Sequence, residues 1–184
     1  LLASRLGRMI GLNLPEALPV YLSPWLSENG TDLHFECCKD EKGNFERRLI
    51  APGLHLGSRW ACNPESSAIF DYLPESLFDR VKNGREFLGV LLLDKWLGNA
   101  DGRQSVFYRP TVNGKWTVAF VDHGYCFNAG QWNFPDLPLH GVYYRNHVYE
   151  SVTGIESFEP WLSRIEKIKP AQIYGLAADV PAEW

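Results

Sequence analysis

At 184 residues, 45% of them hydrophobic and 14% aromatic, the chain can bury a real core, which excludes a disordered polypeptide. A formal net charge of −4 with no block of like charges argues against a nucleic-acid stripe or a membrane-binding face. No uninterrupted apolar run is long enough to span a bilayer, and Cys37, Cys38, Cys62 and Cys126 form no CxxC pair; they are expected as reduced thiols of a cytoplasmic protein.

In chain order, Leu2, Leu6, Met9 and Ile10 recur at helical spacing and predict an opening helix that Gly11 and Pro15 bring to a stop. The chain starts within that pattern and without Met, so a preceding segment is expected. Ala17 to Leu22 reads as a short strand, Ser23-Pro24-Trp25-Leu26 as the cap and first turn of a short helix, and Thr31 to Cys38 as a weakly alternating strand. Lys39 to Arg48 is charged and predicts a solvent-facing loop. Ala51 to Ser58 predicts a second loop, whose two glycines lack the lysine of a phosphate-binding P-loop.

Pro74 to Val81 is a candidate helix. Gly84 to Leu97 is the strongest one: Phe87, Leu88, Val90, Leu91, Leu92, Leu93, Trp96 and Leu97 make it apolar on nearly every side, which predicts a buried central element. Ser105 to Arg109 and Trp116 to Val121 are β-prone and flank Asn113-Gly114, a strong two-residue hairpin signal. With those two residues at the centre of the turn, Phe107 faces Phe120 and Ser105 faces Asp122. Tyr125 to Tyr149 reads as irregular. Phe158, Trp161, Leu162, Ile165 and Ile168 predict a helix with Ser157 as N-cap, and Ala171 to Ala178 predicts a last short one.

The hairpin brings two carboxylates that are distant in sequence, Asp101 and Asp122, to one end. Phosphoryl transfer uses such a pair: one carboxylate holds Mg2+ against phosphate oxygens, and a second orients the attacking hydroxyl. A side-chain amide oxygen commonly completes the metal shell. The same residues also fit a purely structural role, since Asp101-Gly102 is a common turn dipeptide and Asp122 would serve equally as a strand cap.

Buried helix, loop with Asp, hairpin and then Asp-x-Gly is the local order of a kinase catalytic segment. Leu97-Gly98-Asn99-Ala100-Asp101-Gly102-Arg103-Gln104 resembles the catalytic loop of HipA-like serine/threonine kinases, and Phe120-Val121-Asp122-His123-Gly124 resembles their counterpart of the kinase Asp-Phe-Gly. The stretch from Leu2 through Pro15-Glu16 is similar to the helix and strand that bridge the two lobes in that bacterial family. The resemblance extends to about Lys167. It implies an α+β, protein-kinase-like fold, mainly the helical C-lobe with a catalytic β-hairpin. Residues 1–60 would be interlobe or partial N-lobe, and residues 61–184 the C-lobe of a single kinase-domain fragment. It also implies ATP and Mg2+ as cofactors and a protein hydroxyl as acceptor, with Asp101 as the catalytic base and Asp122 as the metal ligand.

Two departures accompany the resemblance. The metal-binding Asn of the family falls on Val106, which leaves Gln104, with Asn99 behind it, as substitute ligands. Arg103 stands where the family often has His; it and Arg145 are read either as phosphate contacts or as solvated charges. The N-lobe elements, a Gly-rich loop and a Lys–Glu pair, do not occur in the chain, the family's Glu falling just before Leu1, so the chain alone is expected to bind ATP poorly. Asn128 and Trp132 are substrate-groove candidates, and His123 is expected to pack or to hydrogen-bond the backbone. Asp94 either buttresses the catalytic loop or is a peripheral charge. Two other readings remain open: a pseudokinase or regulatory binding module without turnover, and a small metal-dependent hydrolase that needs further ligands.

Overall fold

The computed structural model describes residues 1–39, 45–111, 113–135, 137–182 and 184. The chain is α+β and forms two compact units, one of residues 1–17 and 58–179, the other of residues 18–57 and 180–184. Residues 1–17 therefore pack with the larger unit.

In the larger unit, α1 (Leu2–Met9) is followed by α3 (Glu86–Trp96), α4 (Trp161–Glu166) and α5 (Pro170–Ala177). A three-stranded antiparallel sheet completes it, in the order β5 (Ala68–Phe70), β6 (Gln104–Arg109), β7 (Thr117–Val121). The core lies where α3 meets α1 and the sheet. Phe87, Leu88, Val90 and Leu93 of α3 pack with Leu6 and Ile10, with Phe107, Val118 and Phe120, and with Trp161. Burial of one such side chain contributes about 1.5–3 kcal/mol.

The buried face of the opening helix is Ala3, Leu6, Gly7 and then Ile10, while Met9 is exposed, so the stripe lies rotated from the expected one. Gly7 belongs to it because a Cβ there would meet Leu14 and Leu93 at 2.7–2.8 Å. The free edge of β7 is covered by side-chain amides rather than by another strand. Asn83 both donates to and accepts from the Val118 backbone (2.9 Å each), Asn13 donates to the Val118 carbonyl (2.7 Å), and the Asn13 carbonyl accepts from Phe120 N (3.1 Å). Those bonds answer the unpaired backbone groups of an edge strand.

The smaller unit holds most of β1 (Ala17–Leu22), α2 (Pro24–Asn29), β2 (His34–Lys39), β3 (Phe45–Leu49) and most of β4 (Gly53–Ser58). β1 pairs with β4, and β2 pairs antiparallel with β3. Ser23 caps α2 as expected, accepting from Leu26 N at 3.1 Å.

Several expectations need correction. The charged stretch read as a loop contains strand β3, with residues 40–44 outside the described residues. The stretch from Ala51 to Ser58 contains β4 instead of a continuous loop. Pro74 to Val81 forms a 3-10 helix over Glu75–Arg80. The N-cap of α4 is Pro160, while the Ser157 hydroxyl accepts from Thr153 N (3.1 Å) and closes the preceding 3-10 turn. The hairpin of β6 and β7 also pairs differently, with Gln104 opposite Val121, Ser105 opposite Phe120 and Phe107 opposite Val118. Its tip turn runs from Thr111 to Gly114, closed by Gly114 N on Thr111 O at 3.0 Å, so Asn113-Gly114 sits one residue late in the turn. Moving the turn centre by one residue moves the pairing by two, which keeps every side chain on its expected face.

Candidate functional site

The site is built at the junction of α3, the loop that follows it and the end of β7. Asp94 lies in the last turns of α3, its side chain fully buried. An isolated carboxylate there would be prohibitive, and the loop supplies its partners. Arg103 approaches side-on, with Nε on Oδ2 at 2.7 Å and one terminal nitrogen on Oδ1 at 2.5 Å. Asn99 adds Nδ2 on Oδ1 at 3.0 Å. Burial pushes the Asp94 carboxyl up from its ordinary range, and the Arg103 guanidinium and the Asn99 amide pull it back. We take Asp94 as ionised, because a buried two-point pair with arginine is the strongest geometry for it.

The other terminal nitrogen of Arg103 donates to the carbonyls of Val121 (2.6 Å) and Asp122 (3.1 Å). One guanidinium thus ties α3, the loop and the end of β7 together. Backbone bonds add to the stitching: Ala100 N to Tyr125 O at 3.0 Å, Phe127 N to Leu97 O at 2.6 Å and Gly141 N to Asp101 O at 2.8 Å. Gly141 has φ +71°, and a Cβ there would overlap Asp94. Only a residue without one lets the chain pass.

Asp101 and Asp122 stand exposed on this frame. The Asp101 carboxylate accepts from Gly102 N at 2.7 Å. Asp122 sits in the left-handed region, φ 57°, and its two oxygens accept from Gly124 N (3.2 Å) and from Gln104 Nε2 (2.9 Å). Residues other than glycine are uncommon in that region, Asp being among those that tolerate it best, and such conformers gather at functional sites. Gln104 also lines, with Asp101, a cavity of about 280 Å³. A second cavity, of about 260 Å³ and mainly apolar, is lined by Trp60, Cys62, Ile69, Val106, Tyr108 and Val121, the last adjoining Asp122.

Of the residues singled out in the sequence, Gln104 hydrogen-bonds Asp122 and lines a cavity with Asp101, while Asp122 lines neither of the two cavities. Asn99 does not face them: its amide donates to Asp94 and its oxygen accepts from Asp101 N at 3.2 Å, which holds the loop. Arg103 is 2% exposed and fully engaged, so it braces the site and cannot reach a phosphate in solvent. Asn128 bonds to Asn133, and Trp132 stacks on Phe127 at 5.4 Å; neither lines the two cavities. Val106 pairs with Ala119 inside the sheet and offers no ligand.

Asp94, His123 and Cys126 place ligand-type atoms within 4.8 Å of one another. The Asp94 carboxylate of this cluster is already committed to Arg103 and Asn99. Burial pushes the Cys126 thiol up to about 12, and burial together with Arg103 pushes His123 down to about 3. Neither His123 nitrogen meets a partner at hydrogen-bond geometry, and the Phe120 carbonyl exerts only a weak pull in favour of its proton. His123 packs. At pH 8, iodoacetamide is expected to label half-exposed Cys62 within minutes and to leave Cys126 unmodified until denaturant is added. Peptide mass mapping checks this, and labelling of native Cys126 would refute its burial.

No family model, no curated protein and no solved structure matches the chain. No helix among the described residues is long and apolar enough to cross a membrane. Of the two readings of Asp94, loop buttress and peripheral charge, its bonds to Arg103 and Asn99 are those of the buttress. Its partner Arg103 and the close approach of Gly141 are the parts of the site that sequence reasoning missed, although a charge in a buried helix requires a partner.

Proposed function

We propose that the larger unit carries the catalytic centre of a protein-kinase-like phosphotransferase, similar to HipA-like kinases, that moves the γ-phosphoryl group of ATP to a hydroxyl with the help of Mg2+. The observation that carries this reading is Gln104, which lines the Asp101 cavity and hydrogen-bonds the Asp122 carboxylate. Two exposed carboxylates so joined, on a loop and a strand end braced by one buried arginine, suit a reaction that depends on positioning more than on covalent chemistry. The oxygens of Asp122 and Gln104 are hard donors and fit Mg2+ once the Gln104 amide turns its oxygen toward the ion. Bound Mg-ATP supplies the transferable phosphoryl group and the charge that neutralises its oxygens. Asp101 orients the acceptor hydroxyl and takes its proton. The apolar cavity beside Val121 suits a nucleotide base.

A second reading, a binding module without turnover, is favoured by one observation. Val106 occupies the position where the resemblance calls for a metal-binding amide, and it faces the apolar cavity. Calorimetric titration of ATP into the full-length gene product separates the readings. Binding is expected to require Mg2+ and to weaken about tenfold or more in Asp122→Asn. ATP affinity indifferent to both Mg2+ and Asp122 would sink the phosphotransferase and leave the module, and an absence of ATP binding would sink both. Binding without any phosphorylated product leaves the module.

A further inference from the structure

The mainly apolar cavity beside Val121 holds one polar group that burial of an apolar surface does not require. Val106 and Tyr108 of β6 share a sheet face with Val121 of β7, because alternate residues and directly paired residues lie on one side. Ile69 of β5, paired with Tyr108, joins them, and these side chains line the cavity. Tyr108 does not stay over its own strand. Its hydroxyl accepts from Asn13 Nδ2 at 3.3 Å, and Asn13 lies beyond β7, on the outer edge that it covers. The Tyr108 ring therefore crosses β7 toward Pro15, which lines the same cavity two residues after Asn13.

The direction of the proton in that bond is fixed. The same Asn13 nitrogen donates to the Val118 carbonyl at 2.7 Å, where an amide oxygen would meet another oxygen. Asn13 thus gives one N–H to Val118 and the other to Tyr108, and the phenol oxygen can only accept. The O–H proton of Tyr108 is left without an acceptor among the described residues. The other polar side chains of the wall differ: Arg59 is paired with Glu16 at 2.8 Å, and Ser58 is exposed. A wall of apolar side chains with one unclaimed donor suits a flat ring that bears an acceptor. Adenine is such a ring, since its free ring nitrogens accept and carry no hydrogen.

Resting on the nucleotide-binding part of the reading above, we propose that Tyr108 is a specificity-determining residue that donates its hydroxyl proton to a ring nitrogen of the adenine base. Asn13 leaves that proton no other direction. Val106, Val121 and Trp60 cover the ring without choosing among bases, and the Tyr108 bond makes the choice. The bond involves neither Mg2+ nor Asp122, so it reads the base independently of the phosphates.

The test uses the full-length gene product with Mg2+ and four ligands: ATP and its 1-deaza, 3-deaza and 7-deaza analogues. In each analogue a C–H replaces one ring nitrogen. Calorimetry measures the affinity of every ligand for wild type and for Tyr108→Phe. One analogue is expected to bind wild type about three- to tenfold more weakly than ATP, the scale of one neutral hydrogen bond. Tyr108→Phe should weaken ATP by a similar factor and bind that analogue and ATP alike, because either change removes the same bond. Three analogues that all bind wild type like ATP would overturn the proposal, with no variant having to fold. So would unchanged ATP affinity in Tyr108→Phe, or a loss equal for all four ligands, which marks an effect through the fold. ATP binding that depends on Mg2+ and Asp122 but ignores these changes defeats this inference alone. No ATP binding at all defeats the reading on which it rests.

Discussion

Arg103→Leu is expected to lower the stability of the larger unit by about 3–5 kcal/mol, the scale for removing one partner of a buried ion pair. The loss is large because Asp94 stays behind with its side chain fully buried, and Asn99 alone cannot hold its charge. Two carbonyls, of Val121 and Asp122, lose their donor in the same step. Arg103→Lys should lose most of that energy as well, since an ammonium cannot bond both carboxylate oxygens and two carbonyls in one plane. Joint replacement by Asp94→Leu and Arg103→Met is expected to recover much of it, because no unpaired charge remains. Urea denaturation followed by tryptophan fluorescence reads these differences. If Arg103→Leu unfolded at the wild-type midpoint, the pair would not be a buried brace.

The elements that could be read from the sequence are those whose local pattern agrees with their burial. Phe87 to Leu97 announces a central helix because its apolar residues leave almost no polar face, and Ala17 to Leu22 announces β1 as a short β-prone run entered just after Pro15. β4 was missed for the opposite reason. Along Gly53–Ser58, glycine and His55 turn to the half-buried side and Leu54 and Leu56 turn outward, so its alternation runs against hydrophobicity. Gly57 is required there, because a Cβ would collide with Val20 of β1. β5 is three residues long, too short for any period to register.

The site divides along the same line. Asp101 and Asp122 stand in short local motifs, and a hairpin of either register carries them to one end. Arg103 was misjudged because a lone arginine in a polar loop looks solvated until tertiary structure sets it against Asp94, nine residues earlier. Asn99 was misjudged with it: hard oxygen chemistry suits a metal, but the nearer claim on that side chain is the buried carboxylate. Such partnerships depend on where α3 ends, which residue types alone do not specify.

On the proposed phosphotransferase reading, Asp101→Asn is expected to reduce phosphoryl transfer about 10²–10⁴-fold while ATP affinity changes little, the range for loss of one positioned general base. The asymmetry follows from placement. Asp101 lines one cavity, whereas Asp122 adjoins the other through Val121, so on the proposed reading the first substitution strikes the acceptor side and Asp122→Asn the nucleotide side. Asn keeps the shape of the side chain and can still accept from Gly102 N, so the loop should hold its conformation and unfold at the wild-type urea midpoint. What is lost is the negative charge that draws the acceptor proton. Single-turnover transfer by the full-length gene product, at saturating Mg-ATP, measures the effect. Turnover in Asp101→Asn equal to wild type would place the base elsewhere, and a matching fall in ATP affinity would show that the two carboxylates serve one ligand instead of two.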